Sequence, residues 1–268
     1  QFLSVFERQG LGREDVEVYC GADPLGALAA DGRLPRDLMK LESEMAVLTR
    51  FSHAHLPGGR AITVSTLPYH RAGASVAEEL AFAVATAGDY LAALEQSGLD
   101  AETSAGEIAL RLGVGPDLFV EIAKLRAARW WWAMLLGACG SEQPPPPRIH
   151  AVGSERTFAR LEVSNNLLRS TGQAFAAVCG GADVVTLLPF DVTLGETGER
   201  ARRLSRTAQR VLADEAGLGR VVDPAAGSHY VESLSRRLVE RAWTRAREIS
   251  GAGGMREGLL SGRVGTMV

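Results

Sequence analysis

The chain has 268 residues, a net charge of −3 and a hydrophobic share of 46%, which suffices for one large domain or two small ones. The nearly balanced charge gives no electrostatic reason to expect nucleic acid or an anionic membrane surface as a partner. No apolar run approaches the roughly 18 residues that cross a bilayer, and no signal-peptide pattern stands at the start. The composition therefore predicts a cytoplasmic protein.

The cysteines and the paired histidines give no sign of a metal centre. Cys20, Cys139 and Cys179 lie far apart and form no Cys-x-x-Cys pair, so neither a disulfide framework nor a zinc site is indicated. We expect buried thiols in a reducing compartment. His53 and His55 fall in a predicted loop without surrounding carboxylates, and no metal ligands are predicted.

Short β-branched runs alternate with long amphipathic segments, which is typical of βαβ units and a parallel sheet. In chain order, the predicted strands are Val16–Cys20, Ala61–Leu67, Ile108–Leu112, Arg148–Val152 and Asp183–Leu188, with a weak sixth at Arg220–Val222. The predicted helices are Ser75–Ser97, Pro116–Gly137, Arg160–Cys179, Glu199–Ala216 and Ser228–Ser250.

About five or six strands are fewer than the eight of a closed (β/α) barrel. Two architectures remain open, an open α/β sheet or the later part of a larger barrel. The proline-rich stretch 141–148 separates segments of the same rhythm, so we interpret it as a helix-to-strand connection within one domain.

The stretch RVVDPAAGSHYVESL, Arg220–Leu234, combines a short apolar strand, a turn and a helix start. Val221 and Val222 are predicted to end a strand, Asp223-Pro224 to turn the chain, and Ser228 to cap the following helix. This stretch strongly resembles one in the barrel subunits of methylmalonyl-CoA mutases. Similar stretches, in the same order, are GADPLGAL (21–28), PYHRAGAS (68–75), EIAKLRAARWWWA (121–133), the run 165–191 and GAGGM (251–255).

The resemblance covers nearly the whole chain from about Gly21 onward. Known members enclose acyl-CoA in a (β/α) TIM-type barrel and carry cobalamin on a separate C-terminal domain with an Asp-x-His-x-x-Gly motif. The resemblance implies that residues 1–268 form a single, partial barrel domain that lacks the first barrel strands. The cobalamin motif does not occur in this sequence.

The family contains catalytic barrels and non-catalytic small subunits, and the residues here resemble the small subunits. The Arg and Ser that catalytic barrels use to bind substrate correspond to Glu107 and Ala109. Val152 replaces a pocket glutamine, which removes an amide donor and acceptor. His70 sits two residues closer to the following Ala-Gly-Ala than in catalytic barrels.

The resemblance thus implies a non-catalytic small-subunit-type barrel that pairs with and stabilises a catalytic large subunit or a like barrel subunit. Adenosylcobalamin would belong to the assembled enzyme. The alternative is the substrate-binding barrel of an active acyl-CoA mutase whose cobalamin domain is on a separate chain. A third, weaker alternative is a stand-alone acyl-CoA-binding protein. If the barrel is active, the candidates are His70 and Tyr69 for catalysis, Arg148 and His150 for the substrate, and Gln173 and Ala176 for the cofactor.

Two prominent features have structural interpretations. Trp130, Trp131 and Trp132 are consecutive on a helix, so they point in different directions and are expected in the core and at a subunit interface. Arg126 and Arg129, at i,i+3 spacing, are expected to be solvated or salt-bridged.

Overall fold

The fold is built on a parallel sheet of five strands that follow one another in sequence order. The computed structural model describes residues 5–6 and 8–268. The strand order is β1-β2-β3-β4-β5, and all neighbours are parallel. The sheet curls into a half-barrel, so the predicted partial TIM-type barrel is confirmed. The strands are Tyr19–Ala22 (β1), Arg60–Ser65 (β2), Ile108–Val114 (β3), Arg148–Gly153 (β4) and Val184–Thr186 (β5).

Helices connect the strands and cover the outer face of the sheet. The α-helices of the described residues are Pro24–Asp31 (α1), Leu38–His55 (α2), Leu67–Ala72 (α3), Val76–Gln96 (α4), Ala101–Gly106 (α5), Leu118–Ala138 (α6), Asn166–Cys179 (α7), Glu199–Arg210 (α8), His229–Gly251 (α9) and Gly254–Leu260 (α10). In these residues, no helix is long and apolar enough to cross a membrane.

The two faces of the sheet differ in polarity. The register aligns Ser65 with Arg111, and Arg111 with His150, across β2, β3 and β4. These three residues are only partly buried. Because strand side chains alternate between faces, their neighbours point to the helices and form the core. These core residues include Ile62, Val64, Leu110, Leu112, Ile149 and Ala151.

Polar residues at the helix starts explain where several helices begin. Ser75 and Glu78 form a reciprocal capping box at α4, with Ser75 N donating to the Glu78 carboxylate at 2.7 Å. This arrangement satisfies backbone groups that the first turn leaves free. Asp117 caps α6, so that helix begins after Pro116 rather than at it. Ser228 caps α9 as predicted, accepting a bond from Val231 N at 3.5 Å.

Several local predictions are wrong. The weak sixth strand at Arg220–Val222 does not form; Val221 and Val222 are 64% and 95% exposed in an irregular segment. An apolar pair without a neighbouring strand to bond cannot extend a sheet. The predicted loop around His53 and His55 is the last turn of α2.

Two of the three thiols differ from the prediction that the cysteines are buried, whereas the tryptophans are largely as expected. Cys20 and Cys139 are exposed, and Cys179 is buried. Trp131 and Trp132 are almost fully buried in the core, and Trp130 is 45% exposed. The core part of the tryptophan prediction is thus confirmed.

Candidate functional site

The carboxyl ends of the strands bring a histidine and a serine together. In (β/α) barrels this end of the sheet carries the chemistry. Helix α3 begins two residues after β2 ends and supplies His70, while Ser154 directly follows β4. The His70 ring lies over Gly113 of β3, where an added Cβ would be 2.7 Å from the ring. Glycine at this position therefore makes room for the imidazole.

Both ring nitrogens of His70 bond to other side chains of the chain. Nε2 lies 2.7 Å from Ser154 Oγ, and Nδ1 contacts Glu79 Oε1. An ionised carboxylate only accepts hydrogen bonds, so Nδ1 carries a proton; in the neutral imidazole, Nε2 is then the acceptor for the serine hydroxyl. His70 is 6% and Ser154 3% exposed. The histidine is thus fixed from both sides.

A buried ion-pair network continues from Glu79 into the helical layer. Lys124 Nζ lies 3.3 Å from Glu79 Oε2 and 2.6 Å from Glu121 Oε2. Burial by itself lowers the pKa of Lys124, but the charges of Glu121 and Glu79 outweigh it and raise that pKa. Lys124 therefore stays an ammonium ion although its side chain is fully buried. Two carboxylates share this cation, and one of them orients His70.

Gln173 holds the loop that carries Ser154. Its Nε2 donates to Ser154 O at 2.9 Å, while its buried Oε1 has no hydrogen-bond partner among residues 5–6 and 8–268. Gln173 and Ala176 are both fully buried, and Ala176 lies in the hydrophobic core. As neither has an exposed surface, they do not fit a group as large as cobalamin in this structure. Their assignment to the cofactor stays a prediction.

Tyr69 does not share the surroundings of His70. Its ring packs on Phe82 with ring centroids 4.7 Å apart, and it is 4% exposed. Burial raises the pKa of Tyr69, so its side chain stays a neutral phenol. Consecutive residues on a helix point in different directions, which explains why the Tyr69-His70 pair is divided between core and site.

Arg148 lies at the opposite end of β4 from Ser154. Its guanidinium pairs with Glu17 Oε1 at 2.9 Å and with Asp183 Oδ1 at 3.3 Å. Six residues of extended chain separate Arg148 from Ser154, which is roughly 20 Å. The proposed substrate residue is thus engaged in ion pairs at the amino end of the sheet.

His150 occupies the middle of the inner face. Its Nε2 lies 2.8 Å from Thr186 Oγ1 on β5. Burial and the nearby charge of Arg111 lower the pKa of His150, which favours the neutral ring. The hydrogen-bond partner of His150 is thus Thr186, whereas those of His70 are Glu79 and Ser154.

The three positions that distinguish the two kinds of barrel are occupied by unreactive or engaged side chains. Glu107, just before β3, is 5% exposed and accepts a bond from Ala61 N at 3.2 Å. Ala109 and Val152 are 1% and 5% exposed. None of these side chains presents a cation to a ligand on the inner face.

A partly buried carboxyl group, that of Asp23, lies at the end of β1. Asp23 caps α1 and accepts hydrogen bonds from Ser65 N at 3.1 Å and from the Tyr90 hydroxyl at 2.6 Å. Burial raises the pKa of Asp23 to about 6, although these hydrogen bonds oppose the rise. This group ties β1, β2 and α4 together.

Sequence reasoning missed most of the cluster. Glu79, Lys124 and Ser154 were not singled out, although Lys124 lies between the apolar residues Ala123 and Leu125 in the sequence. A charged residue at a core position usually has a buried partner, and this was the available signal. Arg126 and Arg129 are salt-bridged as predicted, Arg126 to Asp223 and Glu232, and Arg129 to Asp183.

The five parallel strands follow one another in sequence order, and a polar cluster lies at their carboxyl ends. This arrangement is typical of the (β/α)-barrel class of proteins. The family model described as methylmalonyl-CoA mutase matches residues 1–268, and the chain belongs to this family. The resemblance found in the sequence is thus confirmed.

Relatives from three organisms illustrate the similarity. The chain is 40% identical over its whole length to the methylmalonyl-CoA mutase small subunit of Streptomyces virginiae. It is 37% identical over 98% of its length to the small subunit of Propionibacterium freudenreichii subsp. shermanii. Identity to the methylmalonyl-CoA mutase of Rhizobium meliloti is 30% over 97% of the chain. The chain spans 43%, 41% and 37% of the lengths of these relatives.

Proposed function

We propose that the chain is a non-catalytic, small-subunit-type barrel of an adenosylcobalamin-dependent methylmalonyl-CoA mutase. In this role it pairs with a catalytic large subunit and stabilises it. The higher identity to the two small subunits than to the Rhizobium meliloti mutase supports this assignment. Residues 1–268 are proposed to form one domain that contains later strands of the barrel.

The geometry of His70 is the observation that carries the proposal. A histidine that acts on a substrate needs a ring nitrogen within hydrogen-bond reach of that substrate. Here Nε2 is bonded to Ser154 and Nδ1 to Glu79, and the residue is 6% exposed. While these two bonds are in place, neither ring nitrogen is free to hydrogen-bond a mutase substrate directly.

The inner face supports the same proposal. Catalytic barrels of this family use an Arg and a Ser where this chain has Glu107 and Ala109. A carboxylate in place of a guanidinium repels an anionic acyl-CoA. Glu107 Oε2 accepts a hydrogen bond from the backbone of β2, and its Oε1 lies 3.8 Å from His53 Nδ1.

The cofactor, the ligand and the compartment follow from this role. Adenosylcobalamin supplies radical chemistry to the assembled isomerase, and the proposal assigns its binding to the partner subunit. An acyl-CoA ligand in this chain is a proposal for the alternative, active barrel. The exposed free thiols Cys20 and Cys139 suit the reducing cytoplasm, which is the proposed compartment.

Reconstitution tests the role. Conversion of methylmalonyl-CoA is measured with adenosylcobalamin and the 268-residue chain in three arms: alone, with a methylmalonyl-CoA mutase large subunit, and with a separate cobalamin-domain protein. We expect turnover only with the large subunit, together with co-elution of the two chains in gel filtration. Turnover with the cobalamin-domain protein alone would establish the active-barrel alternative instead.

A further inference from the structure

Ser154, His70 and Glu79 are connected in the order nucleophile, base and orienting carboxylate. Ser154 Oγ lies 2.7 Å from His70 Nε2, and His70 Nδ1 bonds to Glu79 Oε1. In serine hydrolases this connectivity lets the imidazole take the hydroxyl proton while the carboxylate fixes the tautomer. The three side chains come from α3, from α4 and from the residue after β4, and His70 and Ser154 are 84 positions apart in the sequence.

Ser154 is directed towards the inner face of the half-barrel. Its backbone is extended, with φ −80° and ψ 126°, and its N–H donates to Val114 O at 2.9 Å. The strand alternation therefore continues through Ser154, which puts it on the same side as His150 and Val152. Substrates of barrel enzymes lie at this end of the inner face.

The surroundings hold the three groups in place. Lys124 binds the second oxygen of Glu79 at 3.3 Å, so Oε1 stays on the imidazole. Gln173 Nε2 fixes the carbonyl of Ser154 at 2.9 Å. Such support from neighbouring residues is what keeps reacting groups in a productive geometry.

Among the described residues, one buried acceptor beside Gly153, on the helix-facing side of β4, has no hydrogen-bond partner. Gln173 Oε1 forms no hydrogen bond, although Gln173 is fully buried. An added Cβ on Gly153 would be 2.7 Å from this oxygen, which locates it beside the residue preceding Ser154. Buried polar atoms without a partner are rare in folded proteins, and an ordered water or ion is one of the groups that satisfy them.

We propose that Ser154, His70 and Glu79 form an acyl-transfer triad that hydrolyses short, activated acyl esters and thioesters. This activity is separate from the mutase role. The low exposure of Ser154 and His70, 3% and 6%, restricts the substrates to small acyl groups. The substrates are activated esters and thioesters, because a good leaving group lowers the need for stabilisation of the oxyanion that forms in acyl transfer.

The reaction balances with water as the second substrate. Ser154 Oγ attacks the acyl carbon, and its proton passes to His70 Nε2. Collapse of the intermediate breaks the bond to the alcohol or thiol, which leaves with that proton. His70 then deprotonates a water molecule that attacks the acyl-serine, releasing the carboxylic acid and restoring the hydroxyl.

Covalent labelling of the unaltered chain tests the triad without any substitution. A small alkyl fluorophosphonate is added to the folded chain and to urea-unfolded chain, and the modified peptide is identified by mass spectrometry. We expect the label on Ser154 only in the folded chain. Absence of label at Ser154, or equal labelling after unfolding, would overturn the proposal.

Kinetics with p-nitrophenyl acetate provide the second measurement. Ser154→Ala and His70→Gln are each expected to lower the hydrolysis rate by at least about 100-fold, and Glu79→Gln to lower it as well by favouring the wrong tautomer. Ser104→Ala is the matched control, because Ser104 is a 1% exposed serine whose hydroxyl has no partner. Hydrolysis that persists in Ser154→Ala would contradict the triad.

Two controls separate this activity from other sources. Cys20 and Cys139 are exposed thiols that react with activated esters, so all variants are prepared with both changed to Ser. Failure of labelling leaves the large-subunit reconstitution unaffected, since that experiment does not depend on Ser154. The two proposals are therefore refuted by different results.

Discussion

The two ends of the sheet carry charged clusters of similar composition in opposite environments. At the carboxyl end, Lys124, Glu79 and Glu121 are 0% to 6% exposed. At the amino end, the Arg148 side chain is 39% and that of Glu17 50% exposed. Water screens the second cluster but not the first. Burial, rather than the number of ion pairs, therefore decides which charges are indispensable.

Removing the buried cation is expected to have the largest effect on stability. Lys124→Met leaves Glu79 and Glu121 as buried carboxylates without a counter-ion, which costs about 3–5 kcal/mol of unfolding free energy. Urea denaturation measures the change. Lys40→Met is the matched control, since Lys40 is exposed, and it should change stability by less than about 0.5 kcal/mol. A loss of unfolding free energy below about 1 kcal/mol for Lys124→Met would show that Glu79 and Glu121 do not depend on the Lys124 ammonium group as their counter-ion.

Asp23 is expected to give an intermediate, pH-dependent effect. Its pKa in the folded chain is about 6, against an ordinary value of 3.8, so the folded state holds the proton more tightly. The stability that Asp23 contributes is therefore greatest below pH 4 and is lost as the pH rises through 6. Relative to Asp23→Asn, the unaltered chain should lose about 2–3 kcal/mol between pH 4 and pH 7.

Urea denaturation of both chains across this pH range measures the difference, and the other titrating groups cancel in it. A difference that is constant with pH, or that grows in favour of the unaltered chain as the pH rises, would contradict a raised pKa at Asp23. Tyr90→Phe, which removes the hydroxyl that donates to Asp23 at 2.6 Å, should raise that pKa further.

The amino-end ion pairs are expected to have the smallest effect. A double-mutant cycle of Arg148→Ala and Glu17→Ala should give a coupling energy below about 1 kcal/mol. The coupling should weaken further in 1 M salt, where the screening length is only about 3 Å. A coupling above about 2 kcal/mol that resists salt would remove the contrast between the two ends.

Local signals in the sequence were sufficient for much of the fold. The β-branched runs predicted β2, β3 and β4, and the polar residues Ser75 and Ser228 marked two helix starts correctly. The sixth strand failed because Val221 and Val222 satisfy the local pattern but have no strand beside them. A strand depends on its hydrogen-bonded neighbours as much as on its own residues.

The candidate site was less predictable because it joins distant parts of the chain. His70 was identified from its motif. Its hydrogen bond to Ser154, however, joins residues 84 positions apart in the sequence, and no local sequence pattern predicts that bond. Lys124 and Glu79 are 45 positions apart. Arg148, in contrast, matches the family motif, yet it lies at the amino end of β4. A resemblance identifies a residue, but it does not show where the side chain lies in the fold.

The central claim is that the carboxyl-end cluster of this chain takes no part in the mutase reaction. The most direct test measures methylmalonyl-CoA turnover by a complex of the large subunit with either the unaltered chain or the His70→Gln variant, at equal amounts of co-eluting complex. The account predicts rates that agree within about twofold. A loss of about 100-fold, the effect of removing a general acid or base, with the complex intact, would contradict it.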